Sequence, residues 1–89
     1  MKASISYDAE GDVLYVKLYG LVIEHSSAME DDDFVILNYS ATGEIVGVQL
    51  LDVSRLTRLS WCANFRYDVP SWLYDEVAGW LSVRDVWNE

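Results

Sequence analysis

Cysteines and long apolar runs are scarce in this 89-residue sequence, and both scarcities narrow the classes of protein to which it can belong. Cys62 is the single cysteine, so no internal disulfide can form, which fits a reducing compartment. No apolar run approaches the ~20 residues of a membrane-spanning helix, and charged and turn residues appear before the apolar region of a signal peptide could develop. We therefore expect a cytoplasmic protein that does not bind membranes.

Basic side chains are also few, because six Lys and Arg residues stand against 15 Asp and Glu residues, for a net charge of −9. Residues 1–52 hold ten acids but only Lys2 and Lys17, a balance of −8. Nucleic-acid binding depends on clustered cations that neutralise phosphates, so we expect no direct binding to DNA or RNA. Since 52% of the residues are hydrophobic, the charge must surround a folded core.

The clearest internal pattern is a repeat at an offset of 32 residues. Residues 7–18 and 39–50 share the pattern Tyr-x-Ala-x-Gly-acid-apolar-apolar-x-Val-x-Leu. Each copy predicts a strand, a tight turn and a second strand. Asp8 and Ser40 are expected to bond the backbone two residues on, and Gly11 and Gly43 to supply the positive φ of the turn.

Period-two alternation predicts strands over residues 12–18, 34–39 and 45–51, with a weaker strand over 21–28 after a turn at Gly20. One face of these strands is apolar throughout, and the opposite face is apolar in part. The residues expected on the apolar face of the repeated strands are Leu14, Val16, Leu18, Val46, Val48 and Leu50.

The sequence changes character after Asp52. Residues 53–61 are typical of a short helical turn, and a helix is predicted from Pro70 onward. The apolar stripe of this helix consists of Trp72, Leu73, Val77, Trp80 and Leu81. We predict one α+β domain over residues 1–89, in which a small antiparallel sheet of two similar hairpins (1–52) carries a helical, aromatic-rich extension (53–89). Its C-terminal amphipathic helix is expected to pack on one face of the sheet.

Residues 3–55 resemble the small prokaryotic domain-of-unknown-function family 2283. That family opens on Tyr-Asp-x-x-x-Asp-x-Leu-Tyr-Val and later carries a Gly-x-Val-Val-Gly stretch that ends in Leu-Asp-Ala-Ser. The matching residues are Tyr7, Asp8, Asp12, Leu14, Tyr15, Val16, Asn38, Tyr39, Gly43, Ile45, Val46, Gly47, Leu51, Asp52 and Ser54.

The resemblance implies a β-rich domain without established catalytic residues, often encoded beside small toxin-like proteins and expected to act as an antitoxin. This sequence departs from the family pattern after Ser54. Members commonly stop near that point, whereas about 30 further residues here carry all four tryptophans.

The acids allow more than one interpretation. Four of them, Glu30, Asp31, Asp32 and Asp33, precede an apolar strand, where they either oppose strand aggregation or bind a basic partner. Catalysis by paired carboxylates would need a buried group, which nothing in the sequence indicates. The acids of residues 8–12 lack the spacing and terminal Glu of a calcium loop.

The remaining candidate functional residues are a histidine, a cysteine and the tryptophans. His25 and Cys62 lack a motif that would indicate a thiol enzyme or a zinc site. Seven aromatic residues fall within residues 61–87, and the tryptophans among them either fill the core or form a partner interface. The four in question are Trp61, Trp72, Trp80 and Trp87.

We therefore predict a non-catalytic, acidic protein-interaction module without cofactor or metal, similar in action to an antitoxin. Its partner would be a like subunit, forming a homodimer, or a basic protein such as a small toxic RNase. One alternative is a phage-type inhibitor that imitates nucleic acid, and another is a small-ligand or metal-binding domain.

Overall fold

The structure, a computed structural model, describes residues 2–87, with the backbone but not the side chain of Trp87. It divides the chain into two compact units, residues 1–54 and residues 55–89. The first unit holds β1 (Ala3–Asp8), β2 (Val13–Leu18), β3 (His25–Met29), β4 (Asp32–Tyr39) and β5 (Ile45–Leu51). The second holds α1 (Arg58–Asn64) and α2 (Ser71–Trp87). The predicted α+β class is confirmed.

All five strands form one antiparallel sheet in the order β1-β2-β5-β4-β3. The second strands of the two repeats are neighbours, and Val16 pairs with Val48, its equivalent in the other copy. The two similar hairpins are therefore related by an approximate two-fold axis through this pair. β3 and β1 lie at the two edges of the sheet.

One face of the sheet is buried, as the alternation predicted. Cross-strand pairs such as Leu14 with Leu50 and Leu37 with Val48 place apolar side chains side by side on that face. The opposite face stays partly open, because Tyr15 is 40% and Phe34 55% exposed. The buried apolar residues of the sheet are Leu14, Val16, Val35, Leu37, Val46, Val48 and Leu50.

The two repeated turns differ from each other and from the prediction. In the first turn, Asp8 Oδ1 accepts hydrogen bonds from the amides of Glu10 (3.1 Å) and Gly11 (3.2 Å), as expected. The positive φ, however, belongs to Asp12 (54°) and not to Gly11. Aspartate tolerates this conformation, and its carboxylate is held by other partners, which explains the exchange.

In the second turn, Gly43 has the predicted positive φ of 85°. Ser40 Oγ accepts from the amide of Glu44 at 3.3 Å, four residues on and not two. The reason is the longer loop, since the pairing of Tyr39 with Ile45 leaves five residues between the strands, against four in the first hairpin.

The weaker strand also differs from its prediction. It covers His25–Met29 and not residues 21–28, although the amide of Glu24 still donates to the carbonyl of Tyr39 at 2.8 Å. The turn predicted at Gly20 is confirmed by a φ of 82°. The apolar residues Leu21 and Val22 caused the strand to be predicted too early in the chain. Both are exposed and lie before β3.

The second unit contains the predicted helix and a shorter one. Thr57 caps α1 by accepting a hydrogen bond from the amide of Ser60 at 3.0 Å. Pro70 precedes α2, and its carbonyl accepts from the amide of Tyr74 at 3.0 Å. Along α2, side chains at a spacing of four are fully buried, namely Leu73, Val77 and Leu81. Within residues 2–87, no helix has the length and apolarity needed to cross a membrane.

Candidate interaction site

The four consecutive acids occupy the turn between β3 and β4 and the first two positions of β4, and this segment is here called the acidic turn (residues 30–33). Met29 pairs with Asp32, so Glu30 and Asp31 are the two turn residues. Asp32 Oδ1 accepts from the amide of Phe34 at 3.0 Å, which fixes the start of β4. The other three acids are exposed. Across residues 2–87 none of the four pairs with a cation; the ion pair that the structure describes joins Arg84 to Asp85.

The strand directions collect further acids at the same end of the sheet. Because neighbouring strands are antiparallel, the end of β1, the start of β2, the end of β5, the start of β4 and the end of β3 all lie together. We call this rim the acidic end. It holds eight of the ten acids of residues 1–52, namely Asp8, Glu10, Asp12, Glu30, Asp31, Asp32, Asp33 and Asp52.

The opposite end of the sheet is nearly neutral. Lys2 lies beside the start of β1, where its carbonyl accepts from the amide of Tyr19 at 2.9 Å, and Lys17 lies near the end of β2. Glu24 and Glu44 balance these two lysines. The sheet unit is therefore strongly polarised, with all of its surplus negative charge at one rim. Five strands make this rim about 19 Å wide.

Three residues of the family-like pattern meet at the acidic end. Asp12 accepts hydrogen bonds from the Tyr7 hydroxyl at 2.9 Å and from the Ser54 hydroxyl at 2.6 Å. The amide of Ser54 also donates to this carboxylate at 3.2 Å, and the Asp12 carbonyl accepts from the amide of Val53 at 3.2 Å. These bonds tie the chain that follows β5 to the first hairpin turn. The arrangement is that of a structural latch, because each polar atom is engaged within the protein.

The remaining chemical candidates also have structural partners. The His25 ring stacks on Tyr39 with 4.7 Å between centroids. A hydrogen bond with the Cys62 thiol raises the pKa of the Tyr74 hydroxyl above its ordinary value, so these two side chains are partners of each other. In the described part of the chain, no three His, Cys, Asp or Glu side chains are grouped to hold a metal ion.

The tryptophans occupy different environments. Trp61 is fully buried, stacks on Phe65, and donates its indole N–H to the Tyr74 carbonyl at 3.1 Å. Core packing, one of the two alternatives for the tryptophans, is therefore favoured for Trp61. Trp72 and Trp80 are half-buried, and the side chain of Trp87 lies outside the described part. Their assignment to a partner interface stays a prediction.

The sheet unit matches a known protein family. Residues 4–54 match the family described as a protein of unknown function (DUF2283). The chain belongs to this family. The DUF2283 match ends at Ser54, where the sheet unit also ends, so both helices lie beyond it. No curated protein matches the sequence. No solved structure matches it either.

DUF2283 membership agrees with the expected resemblance and assigns no activity. The latch explains three of the matching residues, because the hydroxyls of Tyr7 and Ser54 both donate hydrogen bonds to the Asp12 carboxylate. Sequence reasoning missed the acidic end, although it singled out the acidic turn and the negative first half. Strand order and direction were the missing signal, since they bring residues 8–12, 30–33 and Asp52 to one rim.

Proposed function

We propose that this DUF2283 protein is a non-catalytic interaction module whose acidic end binds a basic protein, in the manner of an antitoxin that covers a small toxic RNase. The observation that carries the proposal is the concentration of eight carboxylates on one rim of the sheet, with both lysines at the other end. A rim of this kind attracts a basic surface and orients it before contact.

The acidic end exceeds what protection against aggregation requires. One or two charges beside an edge strand already oppose strand pairing, whereas here acids continue across the sheet to the β1–β2 turn and Asp52. An exposed aromatic side chain, Phe34, lies directly beside the acidic turn and is 55% exposed. Carboxylates that steer a partner and an aromatic ring that it buries form a common combination at protein interfaces.

The absence of catalysis is part of the proposal and is supported by the setting of the carboxylates. A carboxylate that acts as a general acid near neutral pH needs a raised pKa, which burial in an apolar site supplies. Glu30, Asp31 and Asp33 are exposed, and the Asp12 carboxylate already accepts several hydrogen bonds. Burial of a basic active surface by the acidic end would inhibit a partner without any bond being broken.

The test is co-expression with the product of the adjacent gene, followed by affinity capture at low and at high salt. We expect a complex that weakens as salt rises, because screening shortens the range of the attraction. An Asp31→Lys/Asp33→Lys variant should lose the complex, and Glu44→Lys, at the opposite end of the sheet, should keep it. Capture that is absent at low salt, or equal for all variants, would count against the proposal.

A second candidate function is favoured by the shape of the acidic end. Its carboxylates follow one rim about 19 Å wide, as phosphates follow a nucleic-acid strand. An inhibitor that imitates nucleic acid would displace a labelled oligonucleotide from unrelated nucleic-acid-binding proteins. An antitoxin would act on its own partner alone, so a displacement assay over several basic proteins separates the two functions.

A further inference from the structure

The β3 strand forms one edge of the sheet and exposes its outer backbone groups. In an antiparallel pair, alternate residues of an edge strand point their N–H and C=O groups away from the sheet, where a further strand can bond to them. Four of its five residues are exposed, and Met29 is half-buried. The sequence of β3, His-Ser-Ser-Ala-Met, contains no proline, lysine or acidic residue that would block this edge, and its pairing with β4 is regular from His25 to Ala28, before the register shifts at Met29.

Cross-strand contacts hold β3 in place, so the edge exists before any partner arrives. Ser26 Oγ donates to Asn38 Oδ1 at 2.7 Å, and Asn38 is only 2% exposed. His25 stacks on Tyr39, and the amide of Glu24 extends the pairing with β4. A preformed edge lowers the ordering cost that an added strand must overcome.

Acids bracket this edge and determine which strand it accepts. Glu24 directly precedes β3 and Glu30, the first residue of the turn, directly follows it, so one carboxylate flanks each end of the strand, six positions apart in the sequence. A second copy of the chain is a poor occupant, because antiparallel pairing of two β3 strands centred on Ser27 would oppose Glu24 to Glu30 of the other copy. Like charges directly opposite each other destabilise strand pairs.

The other edge of the sheet lacks this arrangement. β1 follows Lys2 and ends at Asp8, so its two ends carry opposite charges. A strand with basic residues at both ends would meet Lys2 there. The charge pattern therefore favours the β3 edge over the β1 edge.

We propose that the β3 edge accepts an extended segment of a basic partner protein as a sixth strand, with basic side chains six positions apart facing Glu24 and Glu30. This inference rests on the proposed function and adds how the partner is held: by backbone hydrogen bonds along β3, with acids at both ends selecting the segment. Uncharged residues of high strand propensity would occupy the positions between the two basic residues.

The probe is the peptide acetyl-Lys-Thr-Val-Thr-Val-Thr-Lys-amide, titrated into the isotope-labelled full chain and followed by NMR. We expect the amide signals of residues 24–30 to shift, with smaller changes at β1. Glu24→Lys and Glu30→Lys should each weaken binding by about tenfold, whereas Glu10→Lys, the same charge change in the β1–β2 turn, should leave it nearly unchanged. Shifts centred on β1 or spread over the acidic end would overturn the proposal.

Two further peptides separate strand pairing from charge attraction. N-methylation of alternate amides blocks one edge of the peptide, so of two complementary methylated peptides one should keep binding and the other should lose it. A peptide with Glu at both ends should bind the Glu24→Lys/Glu30→Lys variant and not the natural chain. Equal binding of both methylated peptides would refute strand addition and leave the proposed function standing.

The natural chain and its Glu24→Lys and Glu30→Lys variants also test whether a second copy of the chain occupies the β3 edge. Light scattering should give a monomer whose β3 signals do not depend on concentration; a dimer formed through β3 would overturn the proposal in favour of a second copy. If the full-length basic partner is captured but Glu24→Lys and Glu30→Lys do not weaken the complex, the edge is not the binding site. Failure of every basic peptide and partner at low salt would instead remove the proposed function itself.

Discussion

Asp12 is the residue at which an unusual backbone conformation and several side-chain hydrogen bonds meet. Its φ of 54° lies in the region that favours glycine, although Gly11 is its direct neighbour. The carboxylate accepts from Tyr7 and Ser54 and so connects β1 to the chain that follows β5. The side chain contributes bonds that glycine could not, and these bonds offset the conformational strain.

Two substitutions at Asp12 separate these effects. Asp12→Ala removes the hydrogen bonds and keeps the strain, so we expect a loss of about 2–4 kcal/mol in the free energy of unfolding. Asp12→Gly removes the hydrogen bonds but relieves the strain. Its loss in the free energy of unfolding should therefore be about 1 kcal/mol smaller than that of Asp12→Ala. Urea denaturation measures both values. An alanine variant as stable as the natural protein would show that the latch contributes nothing.

The sequence could not predict this residue because the two repeats look equivalent at their turns. Both carry Gly followed by an acid, and the general preference of glycine for positive φ pointed to Gly11 and Gly43. The preference held at Gly43 and failed at Gly11. What decides the first turn is a contact with Ser54, which lies 42 residues away and is invisible to local rules.

At the scale of elements, strands were predicted best where alternation and turn residues agreed. The limits of β5 were predicted correctly, and β2 begins one residue later than expected. The predicted position of β3 was wrong because the apolar Leu21 and Val22 suggest a strand, whereas the residues that form β3 are mostly polar. Pairing with β4 determines that strand, so its own sequence carries little signal.

Two glycines give opposite predictions because they lie in different elements. In β5, a Cβ at Gly47 would lie 2.7 Å from the Val16 carbonyl oxygen and 2.9 Å from Lys17 Cβ. Gly47→Ala should therefore destabilise the protein by about 1–3 kcal/mol. In α2, a Cβ at Gly79 meets nothing within 4 Å, so Gly79→Ala should stabilise it by about 0.5–1 kcal/mol through helix propensity.

Thermal or urea unfolding of the two variants under the same conditions checks the pair, and each variant serves as the control for the other. If Gly47→Ala instead stabilised the protein, β2 and β5 would be able to move apart at this position without a loss of stability. A destabilising Gly79→Ala would mean that the exposed surface of α2 has a contact that the alanine methyl disturbs.

At the scale of the molecule, the sequence predicted how much negative charge there is but not its geometry. A balance of −8 over residues 1–52 follows from counting, and it would also fit acids spread over every surface. The polarised distribution depends on the path of the chain, since each hairpin reverses direction and both hairpin turns at one rim, β1–β2 and β3–β4, are acidic. Predicting it required the position of β3, the element with the weakest sequence signal.

This concentration of like charge should weaken the fold at low salt. Eight carboxylates on a rim about 19 Å wide lie within or near one Debye length of their neighbours at 0.1 M salt, about 10 Å. Asp31→Lys replaces repulsion by attraction, and we expect it to stabilise the chain by about 0.5 kcal/mol at low salt, with the gain vanishing near 1 M. Glu44→Lys, at the nearly neutral end, should change the melting temperature much less.

Thermal melts of the three proteins across a salt series measure this effect. We expect Asp31→Lys to raise stability and at the same time to abolish capture of the basic partner. That combination would show that the acids lower stability but serve binding, as expected for a binding surface. If the two variants gain equally, or the gain persists in high salt, long-range repulsion at the acidic end is not its cause. The rim would then be ordinary surface, without the stored repulsion that a basic partner relieves on binding.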